Sequence, residues 1–226
     1  MSPRPCPIVS PRPPSRAPAP AAASRLADLR AAPRRPGEAS FFFHDAFFGS
    51  DAVKVLPGEY FVHHEDILIM TTLGSCIAAC LWDREARVGG LNHFMLPEGG
   101  DSDSGRYGSF AMELLINEMM KRGATRATME AKVFGGGQVV EGMTTLNIGA
   151  RNTSFVMGYL QTERIPVVST DVLDVYARKV CFLPASGKAM VKRLASANPG
   201  ALLAQERAAA SRLQAAHGLA GSVDLF

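Results

Sequence analysis

Cys76 and His93 stand near the two ends of one apolar stretch, TTLGSCIAACLWDREARVGGLNHFMLP over residues 71–97, and their types are those of a nucleophile and its base. The stretch reads as a strand, a charged turn and a second strand ending at proline. With residues 83–86 as a four-residue hairpin loop, a common length, Leu81 falls opposite Val88 and Cys76 opposite His93. Facing residues of an antiparallel pair carry Cβ atoms about 4.5–5.5 Å apart on one face. An unperturbed thiol, with a pKa of about 8.5, is largely protonated at neutral pH, so a facing imidazole supplies what it lacks. Backbone N–H groups after Gly74-Ser75 suit a developing oxyanion, and Thr71 and Thr72 just upstream can orient an imidazole. The same types also fit a buried thiol and a hydrogen-bonded histidine in a core hairpin. A bulge at Gly89-Gly90 would shift the register by one residue.

The other candidates are weaker. Cys80 and Cys181 lie inside apolar strands as core thiols, and Cys6 lies in the N-terminal arm. Neither the spacing nor the density of the four cysteines suggests a disulfide scaffold. His63-His64 beside Glu65-Asp66 has the composition of a metal cluster, but adjacent strand residues point to opposite faces. His44 and His217 fall near the flanks. No metal and no organic cofactor is expected. Gly135-Gly136-Gly137 follows a strand, yet no helix start or Lys-Ser/Thr pair comes after it, so close backbone approach is favoured over phosphate binding.

Three segments are expected around these residues. Residues 1–40 hold ten of the 15 prolines and seven arginines against two acids, the composition of a disordered arm. The arm carries +5 of a total charge of +3, so the remaining 186 residues sum to −2 and give no support for nucleic-acid binding. Residues 41–194 form the folded domain, and 195–226 an alanine-rich tail or frayed helix. No run of about 18 apolar residues exists and no secretory signal follows the N-terminal arginines, so a cytoplasmic protein without membrane insertion is expected.

Within the domain, strands are expected over 53–56, 60–63, 67–72, 127–134, 165–170, 179–183 and 189–194, besides the two of the central hairpin. Residues 109–122 show the helical period, with Met112, Leu115, Ile116 and Met119 on one face, and a second helix covers 152–164. Residues 99–105 read as a loop at the rim of an open cleft. The mixture favours α+β: a layered sandwich of mostly antiparallel or mixed sheet with helices packed on it.

Six segments make the chain resemble the CheD family of bacterial chemotaxis, the chemoreceptor glutamine deamidases. They are LPGEY at 56–60, TTLGSC at 71–76, GGLNHFMLP at 89–97, RYGSFAMELLIN at 106–117, EAKVFGGG at 130–137 and NIGARN at 147–152. The resemblance implies a thiol hydrolase with Cys76 as nucleophile, His93 as catalytic histidine and an upstream threonine as third member, Thr71 with Thr72 as its rival. It implies a fold similar to the catalytic domain of cytotoxic necrotizing factor toxins. The implied substrate is the cytoplasmic helical domain of methyl-accepting chemotaxis receptors. An alternative role, implied by other family members, is a non-catalytic module regulating a CheC-type phosphatase. One departure is DVLDVYA at 171–177, where relatives carry aspartate followed by glycines.

Overall fold

A computed structural model of the chain describes residues 21–96, 101–139 and 148–194, with isolated positions at Ala204 and Ala208. The described elements are α1 (Ala21–Ala31), β1 (Phe41–Asp45), β2 (Ser50–Lys54), β3 (Tyr60–His63), β4 (Leu68–Leu73), β5 (Ile77–Asp83), β6 (Val88–Phe94), α2 (Asp101–Met120), β7 (Met129–Gly135), α3 (Ile148–Thr162), β8 (Val167–Val172), β9 (Ala177–Leu183) and β10 (Lys188–Leu194). The expected tail over 195–226 lies outside the described residues, apart from those two helical positions.

The strands form two five-stranded sheets, β3-β6-β5-β7-β8 and β1-β2-β4-β9-β10. Pairing is antiparallel except for β2 with β4 and β7 with β8. Alternation along β5 sends its side chains to two cores. Ile77, Ala79 and Leu81 of β5 meet Met112, Leu115, Ile116 and Met119 of α2 and Val156 and Leu160 of α3. Cys76, Ala78 and Cys80 face the other way, toward Ile69, Leu73, Val180 and Phe182 of the second sheet. The fold is therefore α+β in three layers, helices on sheet on sheet, as expected. The methionines of α2 are core packing.

Three expectations fail. The first is the disordered arm over 1–40. Residues 1–20 are not among those described, but 21–40 pack on the domain. Leu26 and Leu29 of α1 meet the core between the sheets, and Ala39 is wholly buried. The four described arginines of this segment, Arg25, Arg30, Arg34 and Arg35, each find an acceptor. Arg25 pairs with Glu65 at 3.1 Å, Arg30 donates to the Phe42 carbonyl at 2.9 Å, and Arg35 pairs with Glu118 of α2. The Arg34 guanidinium also lies over the Phe42 ring, 4.5 Å from its centroid.

The second is the loop over 99–105, of which 101–105 belongs to α2. Serine and aspartate suit the first turn of a helix as well as a loop. Gly108 lies within α2 where any Cβ would collide with the Phe155 ring and Leu96, so glycine there lets α2 and α3 approach. The third is the hairpin register. Asp83 pairs with Val88 and His93 with Ala78, so the loop is 84–87. Asp83 ends the strand by accepting from the Glu85 and Ala86 amides, both at 2.9 Å, and Arg87 takes a positive φ of 53°. The Gly89-Gly90 pair makes no bulge. Gly89 lies against Pro184 of the second sheet's turn and Gly90 against Val62 and Leu115.

Candidate active site

Cys76 ends the bend that leads into β5, and its residue has no solvent exposure. Three successive carbonyls of this bend are held. Gly74 accepts from the Gly137 amide, Ser75 from Nδ2 of Asn152 and Cys76 from the Gly136 amide, each at 2.8 Å. The glycine run is what lets the second backbone come so close. Gly135 and Gly136 have φ of +111° and +65°, and a Cβ on Gly135 would strike the Cys76 carbonyl oxygen. The run is a close approach of two backbones, as expected.

His93 lies on β6 and is 2% exposed. It faces Ala78, and Cys76 lies two residues before Ala78 on the same face, so the pair is diagonal rather than directly opposed. Diagonal neighbours are about 7–8 Å apart at Cα and still within reach of long side chains. The shift of two residues from the expected register keeps both residues on the face toward the second sheet. The His93 backbone is fixed by the turn after β2: Gly58 donates to its carbonyl at 2.7 Å, and its amide donates to the Glu59 carbonyl at 2.9 Å.

The second sheet contributes Thr71. Its Oγ1 lies 2.8 Å from Nδ1 of His93 and 2.8 Å from the Val55 carbonyl oxygen. A hydroxyl has one proton, and a carbonyl can only accept. The proton therefore goes to Val55, Oγ1 accepts from Nδ1–H, and the neutral imidazole keeps its lone pair on Nε2. Thr72 points to the opposite face of β4, opposite Lys179. Between the two threonines, Thr71 is the one brought to His93.

Two residues that the sequence reasoning did not single out complete the surroundings. Tyr107 of α2 has its phenol pushed up to about 12 by burial, with neighbouring Cys76 adding to the shift. Asn152 of α3, wholly buried, holds the Ser75 carbonyl and also accepts from the Leu96 amide at 3.0 Å. Both stand in the quoted segments RYGSFAMELLIN and NIGARN, which is the one signal that could have found them. Cys80 and Cys181 are buried thiols whose pKa values burial pushes up, Lys132 and Lys179 offsetting part of the shift. His63 and His64 stack at 4.8 Å because β3 ends at His63, and among the described residues no group of three His, Cys, Asp or Glu is placed to hold a metal ion.

A family model described as CheD chemotactic sensory transduction matches residues 95–193. A probable chemoreceptor glutamine deamidase CheD 1 of Albidiferax ferrireducens is 61% identical over 206 residues, covering 91% of this chain and 88% of its own length. The chain belongs to the CheD family. A probable chemoreceptor glutamine deamidase CheD of Methylobacillus flagellatus is 47% identical over 195 residues, 83% of this chain and 96% of that one. A namesake in Bordetella petrii is 56% identical over 167 residues, 72% and 75% of the two chains. The family-model match begins just after His93, whereas a 206-residue alignment of a 226-residue chain necessarily spans both Cys76 and His93. Among the described residues, no helix is long and apolar enough to cross a membrane.

Proposed function

We propose that this chain hydrolyses glutamine side chains of methyl-accepting chemotaxis receptors to glutamate, releasing ammonia, with Cys76 as nucleophile, His93 as acid–base and Thr71 as the residue that orients His93. The observation that carries the reading is the hydrogen-bond chain from the Val55 carbonyl through Thr71 to Nδ1 of His93. It leaves Nε2 as the basic atom on the face that Cys76 shares. A module that only binds a partner has no need of that arrangement.

The steps follow from the residue types. Nε2 takes the Cys76 proton, and the thiolate attacks the carboxamide carbon to give a tetrahedral oxyanion. The imidazolium returns that proton to the nitrogen as the C–N bond breaks, so ammonia leaves and a thioester remains. Water then loses a proton to Nε2 and attacks the thioester, and collapse frees glutamate and restores the thiol. No step needs a metal or an organic cofactor. The new carboxylate adds negative charge to a receptor helix, where it is available for methylation.

An open cleft with Cys76 near its floor does not agree with a fully buried residue. A glutamine side chain reaches Sγ only after neighbouring chain parts, so binding energy from the rest of the substrate is required. Recognition then favours a folded receptor helix over a short peptide. The deciding experiment incubates a receptor cytoplasmic fragment with the enzyme and follows ammonia release and peptide mass. Ammonia with glutamine-to-glutamate conversion, and neither cleavage nor cross-linking, is the expected result. No conversion by wild-type enzyme, or full conversion by Cys76→Ala, would sink the reading.

A further inference from the structure

Asn152 uses both ends of one amide. Its Oδ1 accepts from the Leu96 amide at 3.0 Å, and its Nδ2 donates to the Ser75 carbonyl at 2.8 Å. The Ser75 carbonyl belongs to the peptide bond that leads into Cys76, and Leu96 follows His93 just past the end of β6. One wholly buried side chain on α3 thus ties the nucleophile's segment and the base's strand to the same helix. A trans peptide is planar with its C=O and N–H opposed, so holding the Ser75 oxygen toward Asn152 aims the Cys76 N–H away from it. The flanking carbonyls of Gly74 and Cys76 are held by the Gly137 and Gly136 amides, which leaves the bend no freedom to compensate.

We propose that Asn152 is a positioning residue for the deamidation: it sets the separation of Cys76 from His93 and the direction of the Cys76 amide. The proposal rests on the deamidase reading above. The residue type follows from the geometry. Asparagine carries a donor and an acceptor on one rigid head, and both are used. Aspartate has the same shape and keeps the acceptor for Leu96, but it turns a second acceptor on the Ser75 oxygen. It also adds a negative charge near Cys76, which disfavours the thiolate. Alanine loses both bonds.

The test compares full-length Asn152→Asp, Asn152→Ala and Val156→Ala. Val156 lies one turn further along α3, wholly buried in the core beneath the helices. Three quantities are measured: kcat and KM on a receptor fragment, the pH dependence of iodoacetamide alkylation of Cys76 by peptide mapping, and melting temperature. Both Asn152 variants should lose about 100-fold in kcat, the scale of a small misplacement of reacting groups, with KM within about threefold. Asn152→Asp should also move the alkylation midpoint up by about one pH unit. Val156→Ala should lose stability and keep both kcat and the alkylation profile. Wild-type kcat and alkylation in folded Asn152→Asp, or the same changes in Val156→Ala, would overturn the proposal. If Asn152→Ala does not fold, the isosteric aspartate variant decides. An inactive Cys76→Ala beside an unimpaired Asn152→Asp removes only the positioning role, whereas an active Cys76→Ala removes the deamidase reading itself.

Discussion

Thr71 has a single proton to give, and the proposed chemistry depends on its going to Val55. Replacing Thr71 with valine keeps shape and volume but leaves Nδ1 of His93 without its oxygen partner. Deamidation should fall roughly 10- to 100-fold, part of the 10²–10⁴ that a positioned acid–base group supplies. Thr72→Val should stay within about twofold of wild type, because that side chain faces away; equal losses in steady-state assays would sink the assignment of Thr71. Among the cysteines, Cys76→Ala should abolish conversion, while Cys80→Ala and Cys181→Ala keep most of it. The sequence left Thr72 as a rival to Thr71 because both are polar and β-branched, so either can face inward. Only the phase of β4, set by Ile69 and Leu73 pointing into the inter-sheet core, separates them.

The elements were legible where period and composition agreed, as in α2 and β5. They were not where one residue could play two parts. Asp83 looks like the first residue of a charged loop, yet it is the last of β5. Thr128 Oγ1 and the Thr125 amide donate to its other oxygen at 2.6 and 2.7 Å, in addition to the two amides of its own turn. Burial alone would raise its pKa, and these donors outweigh it and hold the carboxyl below its ordinary value. That second role moved the hairpin register by two and preserved the face, so the site survived a wrong count. Gly135 and Gly123 allow a paired test of the other support. Both have positive φ, but a Cβ on Gly123 meets nothing within 4 Å, while one on Gly135 meets the Cys76 carbonyl. Each alanine variant should cost about 1–3 kcal/mol from backbone strain, a fall of several degrees in melting temperature. Only Gly135→Ala should also lose most of its activity. Comparable activity in the two variants would show that the glycine run does not support the nucleophile.

At the scale of the whole molecule, the sequence hid the N-terminal segment. Proline and arginine content reads as disorder, and no local signal shows that Arg35 finds Glu118, 83 residues on. Glu118 is buried, which alone would raise its pKa, but Arg35, Lys121 and Arg122 outweigh that and bring it to about 2. A carboxyl whose folded pKa lies below its unfolded value of about 4.5 stabilises the fold above that pH and loses the contribution as pH falls toward 2. Glu118→Gln should therefore flatten the stability profile in that window, measured by urea midpoints across pH; an unchanged slope would place the acid sensitivity elsewhere. Deleting residues 1–40 should lower the melting temperature by several degrees, since it removes α1, Ala39 and the Arg35 pair. The seam between the sheets has a different kind of consequence. Thr71 belongs to one sheet and His93 to the other, and the chain crosses between them repeatedly: β3 sits in the first, β4 in the second, β5 to β8 in the first, β9 and β10 in the second. β4 has no neighbour on its β9 side until nearly the whole domain has been made. A growing chain on the ribosome can therefore seat β4 on both sides, and with it the Thr71–His93 contact, only after β9 has been made. Under the proposed chemistry, the base is oriented by completion of the two-sheet fold and by no single segment of the chain.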